Sequence, residues 1–351
     1  MATLEKREIS APRVGKFNVH IQGDLKHNQF VVMTVHDLGC NHTTWKHFVD
    51  QPCMEQIRKR AVFIHVDVPG QEDGAPDLPS NYTFPSMQTL GEDLVCVLDQ
   101  LDVKQVVAIG EGAGANILAR LAINQPSRVH ALCLIHCTGS TAGFMEAFKD
   151  KAMNWKLQHI GMNPTAESYL VLHRFGSTKS SEKKSNFEKA ENKEQLEFAI
   201  KTFTESLRSK INAKNLKKFV EAFMNRTSIA ETIGKVSCPC LLVTGSKASF
   251  NRTVHTLYQA MVNKVSNRKS LELLEVDGVA NVLTEKPEEF AESFLYMVQG
   301  LGMMGGVPMP RVQRSASQDG PIQHRNRSMS MEEADQPRGI YSTSPPRVAQ
   351  H

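Results

Sequence analysis

The sequence predicts an α/β protein: a doubly wound, mostly parallel sheet with a helical cap inserted late in the chain. Three observations predict it. Short apolar runs alternate with stretches of helical periodicity, the third run ends in a turn of small residues, GEGAG (110–114), and a long helical interval separates the fourth run from the fifth. Strands that alternate with single helices require right-handed crossovers and a parallel sheet.

The elements follow in order. Residues 1–28 carry no such run and read as an N-terminal segment, so the folded domain is expected over 29–300. FVVMTV (30–35), AVFIHVDV (61–68), VVAIG (106–110) and ALCLIHC (131–137) have the near-continuous apolar character of strands buried on both faces. MQTLGEDLVCVLDQL (87–101) places Leu90, Leu94, Val97, Leu98 and Leu101 on one helical face, and GANILARLAIN (114–124) does the same with Ile117, Leu118, Leu121 and Ala122. Residues of about 140–235 form the predicted cap, where LEFAIKTFTESLRSKI and NLKKFVEAFM are amphipathic. Within it the polar stretch 177–194 reads as a solvated loop or exposed helix. PCLLVTG (239–245) and LELLEV (271–276) complete the strands. Beyond Gly300 a Gly/Met/Pro linker leads into a Ser-, Pro- and Arg-rich tail without apolar period, so 301–351 is expected to be disordered.

The GEGAG turn admits two readings. As a dinucleotide cradle, Gly110 to Ala115 satisfies G-x-G-x-x-A. However, two strands precede it, and LCLIHCTGS, the next strand, has no acid to hold a ribose. As a nucleophile elbow, Gly110, Glu111, Gly112, Ala113 and Gly114 fall in register with G-x-S-x-G, with Gly112 at the serine position. The flanks favour the elbow and resemble the α/β-hydrolase fold. HDLG (36–39) stands where the oxyanion loop belongs, DVPGQEDG (67–74) matches the turn after the next strand, and NQPSRVHALCLIH matches the run after the elbow. The spacing of that fold puts the acid at Ala248 and the histidine at Ala280. All three triad positions therefore lack reactive groups. Triad members act as a unit, so a triple loss predicts that the chain is not an enzyme. The backbone N–H of Ala113 and one near Leu38 would survive as a vestigial oxyanion hole.

The resemblance narrows further. His36-Asp37 in place of His-Gly, HVDVPGQEDGAP (65–76), YTFPSMQTL (82–90), GEGAGANILARLAIN (110–124) and INAKNLKKFVEAFMNR (211–226) together resemble the N-myc downstream-regulated family. That resemblance implies an α/β-hydrolase fold without a working triad and a cytoplasmic protein of differentiation, growth and stress signalling, with links to vesicle traffic. It implies protein partners, met through the cap and tail, and leaves room for peripheral membrane association.

Three groups near the elbow could still react. His36, beside Asp37 at the pocket mouth, could serve as a base or ligand contact, or hydrogen-bond loop backbone and shape the turn. Glu111 could substitute as a base, or be a polar residue at the cap interface. Cys40 is the thiol nearest the oxyanion loop, with no base partner in the sequence. The alternatives to a silent adaptor are thus a hydrolase with an unconventional nucleophile or base, and a small-molecule or lipid sensor using the empty pocket.

Composition excludes other classes. With 41 basic and 37 acidic residues among 351, the net charge of +4 does not suggest a nucleic-acid binder. MATLEKREIS has no secretory character, and no run is long and apolar enough to span a membrane. The seven cysteines, scattered or paired as Cys133/Cys137 and Cys238/Cys240, read as reduced core thiols. No cofactor and no metal are expected. In the tail, Arg314 precedes Ser317 by three residues, Arg325 precedes Ser328 by three, Arg325 and Arg327 precede Ser330 by five and three, and Ser344 is followed by Pro345. These spacings predict phosphorylation by basophilic and proline-directed kinases, which would turn a basic segment acidic.

Overall fold

All six predicted runs become strands of one eight-stranded sheet in the computed structural model, which describes residues 4–140, 162–176, 186–265 and 268–305. They are β3 (Phe30–Val35), β4 (Ala61–Asp67), β5 (Val106–Glu111), β6 (Val129–Ile135), β7 (Cys240–Gly245) and β8 (Leu271–Val276), all parallel to their neighbours among these six. The tail serines Ser317, Ser328, Ser330 and Ser344, and much of the polar 177–194 stretch, lie outside the described residues.

The expectation of a separate N-terminal segment is corrected. Residues 4–22 form the hairpin β1 (Leu4–Ala11) and β2 (Gly15–Gln22), which joins the sheet antiparallel to β4, giving the order β1-β2-β4-β3-β5-β6-β7-β8. The compact unit accordingly runs Met1–Val307. The hairpin carries no continuous apolar run because antiparallel strands alternate. Phe17, Val19 and Ile21 enter the core, while His20 and Gln22 face the other way, and the outer strand LEKREISA is mostly exposed and charged, as suits a sheet edge.

Two apolar layers cover the sheet. One packs the helix at Met87–Asp93, its continuation Val95–Gln100, the helix Ala113–Asn124 and the helix Asn251–Lys264 against one face. The other packs Trp45 and Phe48 of the helix His42–Val49 with Phe290 and Phe294 of the helix Pro287–Gly300. The single helix expected over 87–101 is divided at Leu94, where Val97 N–H closes a tight three-residue turn on the Leu94 carbonyl. The described parts of the cap are helices Pro164–Phe175, Asn186–Ser209 and Ala213–Met224. The last is strongly amphipathic and buries Leu216, Phe219, Val220 and Phe223. All seven cysteines are free thiols, and all but Cys53 and Cys96 are buried.

Candidate functional site

The elbow geometry depends on the small residues Gly110, Gly112, Ala113 and Gly114 that flank Glu111. Gly112 sits between β5 and the helix Ala113–Asn124 with φ +52° and ψ −111°, a conformation L side chains rarely adopt. Its neighbours are small for a different reason: a Cβ on Gly110 would lie 2.5 Å from the Ala115 nitrogen, and one on Gly114 would strike the backbone of Val35 and His36. Strand, turn and helix therefore approach as closely as the sequence predicts for a nucleophile elbow.

A carboxylate fills the nucleophile's place. A Cβ built on Gly112 would fall onto the carboxyl group of Asp37, from the HDLG loop after β3. Asp37 Oδ1 accepts the Ala113 N–H at 2.8 Å, so the donor expected to form an oxyanion hole already holds an anion. His173, on the cap helix Pro164–Phe175, donates from Nε2 to the same carboxylate at 2.9–3.0 Å. Burial by itself would raise the Asp37 pKa, but His173, the Ala113 N–H and the Arg174 guanidinium outweigh it and hold the group below the usual carboxylate range.

The adjacent residue makes a second clasp. Arg174 Nη1 donates to Glu111 Oε2 at 2.9 Å and lies 2.9 Å from Cys40 Sγ, while its guanidinium sits over the rings of Phe175 and Phe203. Glu111 Oε1 accepts from Asn281 Nδ2 at 2.6 Å. Asn281, immediately after Ala280, also caps the helix Val282–Glu285, so the loop that would carry a catalytic histidine is tied to the elbow by structural bonds instead. Ala280 is buried, and its N–H bonds Glu285 Oε1 at 2.9 Å. Ala248 closes a turn on Gly245 after β7.

These contacts limit what each candidate can do. His36 is buried rather than at a mouth. Its Nδ1–H donates to the Asp37 carbonyl at 2.9 Å and its Nε2 accepts the Val68 N–H at 3.0 Å, which occupies both nitrogens and fixes the tautomer. Glu111 has both oxygens engaged by Arg174 and Asn281 at the cap interface. Burial pushes the Cys40 thiol up to about 12 despite Arg174, so it is protonated near neutrality and a poor nucleophile. Leu38 is fully buried in the apolar layer.

Sequence reasoning did not anticipate His173, Arg174 or Asn281. The first two lie in the cap, where no motif spacing marks a partner for the elbow, and their roles arise only when the cap helix folds back over the sheet. His136, just after β6, is a further unforeseen member. It has φ +52°, is buried, and neither ring nitrogen has a hydrogen-bond partner. Burial pushes its pKa down to about 4, with Asp37 opposing and Arg174 and His173 assisting the shift. A cavity of about 410 Å³ lies apart from the elbow, between residues 82–88 and 218–227.

Comparison with known proteins agrees with this architecture. The profile of the Ndr family matches residues 7–305. An uncharacterized Caenorhabditis elegans protein is 39% identical over 346 residues, covering 97% of this chain and 96% of its own length. Protein NDRG1 of Xenopus tropicalis is 32% identical over 311 residues, covering 86% of this chain and 72% of its own. Among solved structures, a hydrolase from Pseudomonas aeruginosa PA01 superposes with a TM-score of 0.62 at 16% identity, covering 84% of this chain and 98% of its own. The enol-lactonase from Burkholderia xenovorans LB400 gives 0.62 at 13% identity, covering 84% and 100%. At such identities these two establish the α/β-hydrolase fold and nothing about activity.

Proposed function

The chain belongs to the Ndr family, and from that premise we propose that it is a non-catalytic α/β-hydrolase-fold adaptor whose reaction-centre position serves as a joint between core and cap. One observation carries the reading: the Asp37 carboxylate occupies both the space of the absent nucleophile and the Ala113 N–H that would stabilise an oxyanion. A substrate carbonyl could reach that donor only by displacing a buried carboxylate that is hydrogen-bonded to Ala113 and His173, which is costly. The vacancies at Gly112, Ala248 and Ala280 support the same reading.

On this account the chain acts through surfaces. Protein partners would meet the cap and the tail, and phosphorylation at Ser317, Ser328, Ser330 or Ser344 would regulate them, in a cytoplasmic setting of differentiation and stress signalling. Support comes from family membership, from the arginine spacing before Ser317, Ser328 and Ser330, and from Pro345 after Ser344. Among the described residues no helix is long and apolar enough to cross a membrane.

A second reading is favoured by one contact. A buried carboxylate 2.9 Å from an imidazole could act as nucleophile or base in an unconventional hydrolase. Against it, His173 Nδ1 is buried without a partner, so no acid orients the ring. Turnover of a panel of esters and lactones separates the two. The adaptor reading expects rates equal for wild type, Asp37→Asn and His173→Gln; turnover that both substitutions abolish establishes the hydrolase.

A further inference from the structure

A second cluster of chemistry-bearing side chains gathers around Asp67, whose carboxylate lies 4.0 Å from His36 of the elbow site. His20 of β2 and Asp67 at the end of β4 stand on one face of adjacent strands, since Asn18 pairs with Asp67 and His20 with His65 in the antiparallel register. His42 opens the helix His42–Val49 and reaches the same carboxylate. His20, His42 and Asp67 are thus brought together from three elements distant in sequence, with one potential ligand atom each and all three atoms within 4.8 Å of one another.

The details do not suit a plain hydrogen-bond network. His42 Nδ1 lies 2.6 Å from Asp67 Oδ2, and the His42 backbone N–H donates to Oδ1 at 2.6 Å. His20 Nε2 approaches the same Oδ2 at 3.2 Å yet makes no hydrogen bond, leaving a buried ring nitrogen unsatisfied. The two imidazoles stack face to face, centroids 3.4 Å apart and 9° from parallel, so their in-plane lone pairs run side by side and the rings must splay for both nitrogens to meet one ion. One proton shared between His42 and Asp67 does nothing for His20. A cation would satisfy two neutral imidazole lone pairs and a carboxylate together.

From this geometry we propose that His20, His42 and Asp67 form a binding site for a divalent first-row transition metal, with Zn²⁺ the first choice. Two imidazoles and one carboxylate are a donor set that suits Zn²⁺, and also Co²⁺, better than Mg²⁺ or Ca²⁺. Tetrahedral ligands about 2.0–2.1 Å from the ion lie about 3.3 Å from one another. The His20–Asp67 separation of 3.2 Å already matches that spacing. The 2.6 Å His42–Asp67 contact must lengthen as the ion replaces the proton. The His42 backbone N–H supplies an outer hydrogen bond to the ligating carboxylate, the usual means of orienting it. His42 keeps 13% of its side chain exposed, giving the ion a route in, and a water would complete the coordination.

The test uses the full chain stripped with chelator and titrated with Co²⁺ alone, then with Zn²⁺. The site predicts one Co²⁺ per chain with the visible ligand-field absorption of a low-coordinate centre, displaced stoichiometrically by Zn²⁺, and a raised Tm with either ion. His42→Gln and His20→Gln should each weaken binding by at least about tenfold. His27→Gln and His255→Gln, which alter exposed histidine–carboxylate pairs, should leave it unchanged. Should His20→Gln fail to fold, the partly exposed His42→Gln carries the test. No saturable Co²⁺ spectrum, or binding that persists in His42→Gln, overturns the proposal.

Discussion

At the scale of single residues, Gly112 and Asp37 are one feature rather than two. The glycine is required by its positive φ and by the carboxyl group that occupies the space its side chain would need. Gly112→Ser therefore meets both backbone strain and a collision, whereas in an Asp37→Gly background only the strain remains. A double-mutant cycle by urea denaturation should give a coupling energy of about 1–3 kcal/mol, with the serine less harmful in the second background. Additivity would mean that the two positions do not share space. His136 gives a pH prediction. Its pKa falls from 6.5 in the unfolded chain to about 4, facing Asp37, His173 and Arg174. Between those values the unfolded state binds the extra proton, so stability declines as pH drops from 6.5 toward 4, by about 3 kcal/mol in total. Asp37, held low in the fold, contributes stability that is lost only at still lower pH. His136→Asn, tolerant of positive φ, should flatten the 6.5-to-4 slope without lowering stability at pH 7. An unaltered slope would assign it to other groups.

At the scale of elements, the cap helix Pro164–Phe175 is held by consecutive side chains, His173 to Asp37 and Arg174 to Glu111. Removing one partner of a buried pair strands the other, so Arg174→Met should cost about 3–5 kcal/mol, and Arg174→Met with Glu111→Gln should recover most of it. Thermal or urea unfolding reads this, and equal losses in single and double variants would contradict the clasp. These elements also show what is legible in a sequence. The parallel strands announced themselves because burial on both faces demands unbroken apolar runs such as FVVMTV. The elbow did so because close approach of backbones demands Gly110 and Gly114. The second strand of the hairpin, KFNVHIQ, is faint in the sequence because alternation over a few residues is a weak signal, although Phe17, Val19 and Ile21 carry it. His173 and Asn281 left no trace, since a hydrogen bond across 136 or 170 residues imposes no local pattern.

At the scale of the whole molecule, the sheet, its two apolar layers and the cap lie within Met1–Val307. Deleting residues 308–351 should leave Tm within about 2 °C of the full chain, while any partner that depends on the phosphorylated tail is lost. A large drop in Tm would make the tail part of the fold. Within the compact unit, the account turns on a hydrolase scaffold closed by its own carboxylate, with the Ala113 N–H as the donor that Asp37 holds. Hydrogen exchange of that single amide, followed by NMR in wild type and Asp37→Ala, is the most direct measurement. A filled hole predicts that Ala113 exchanges as slowly as the central strand amides of β5 and accelerates when Asp37 is removed. Rapid exchange in the wild type, unchanged by the substitution, would show an open hole and contradict the account.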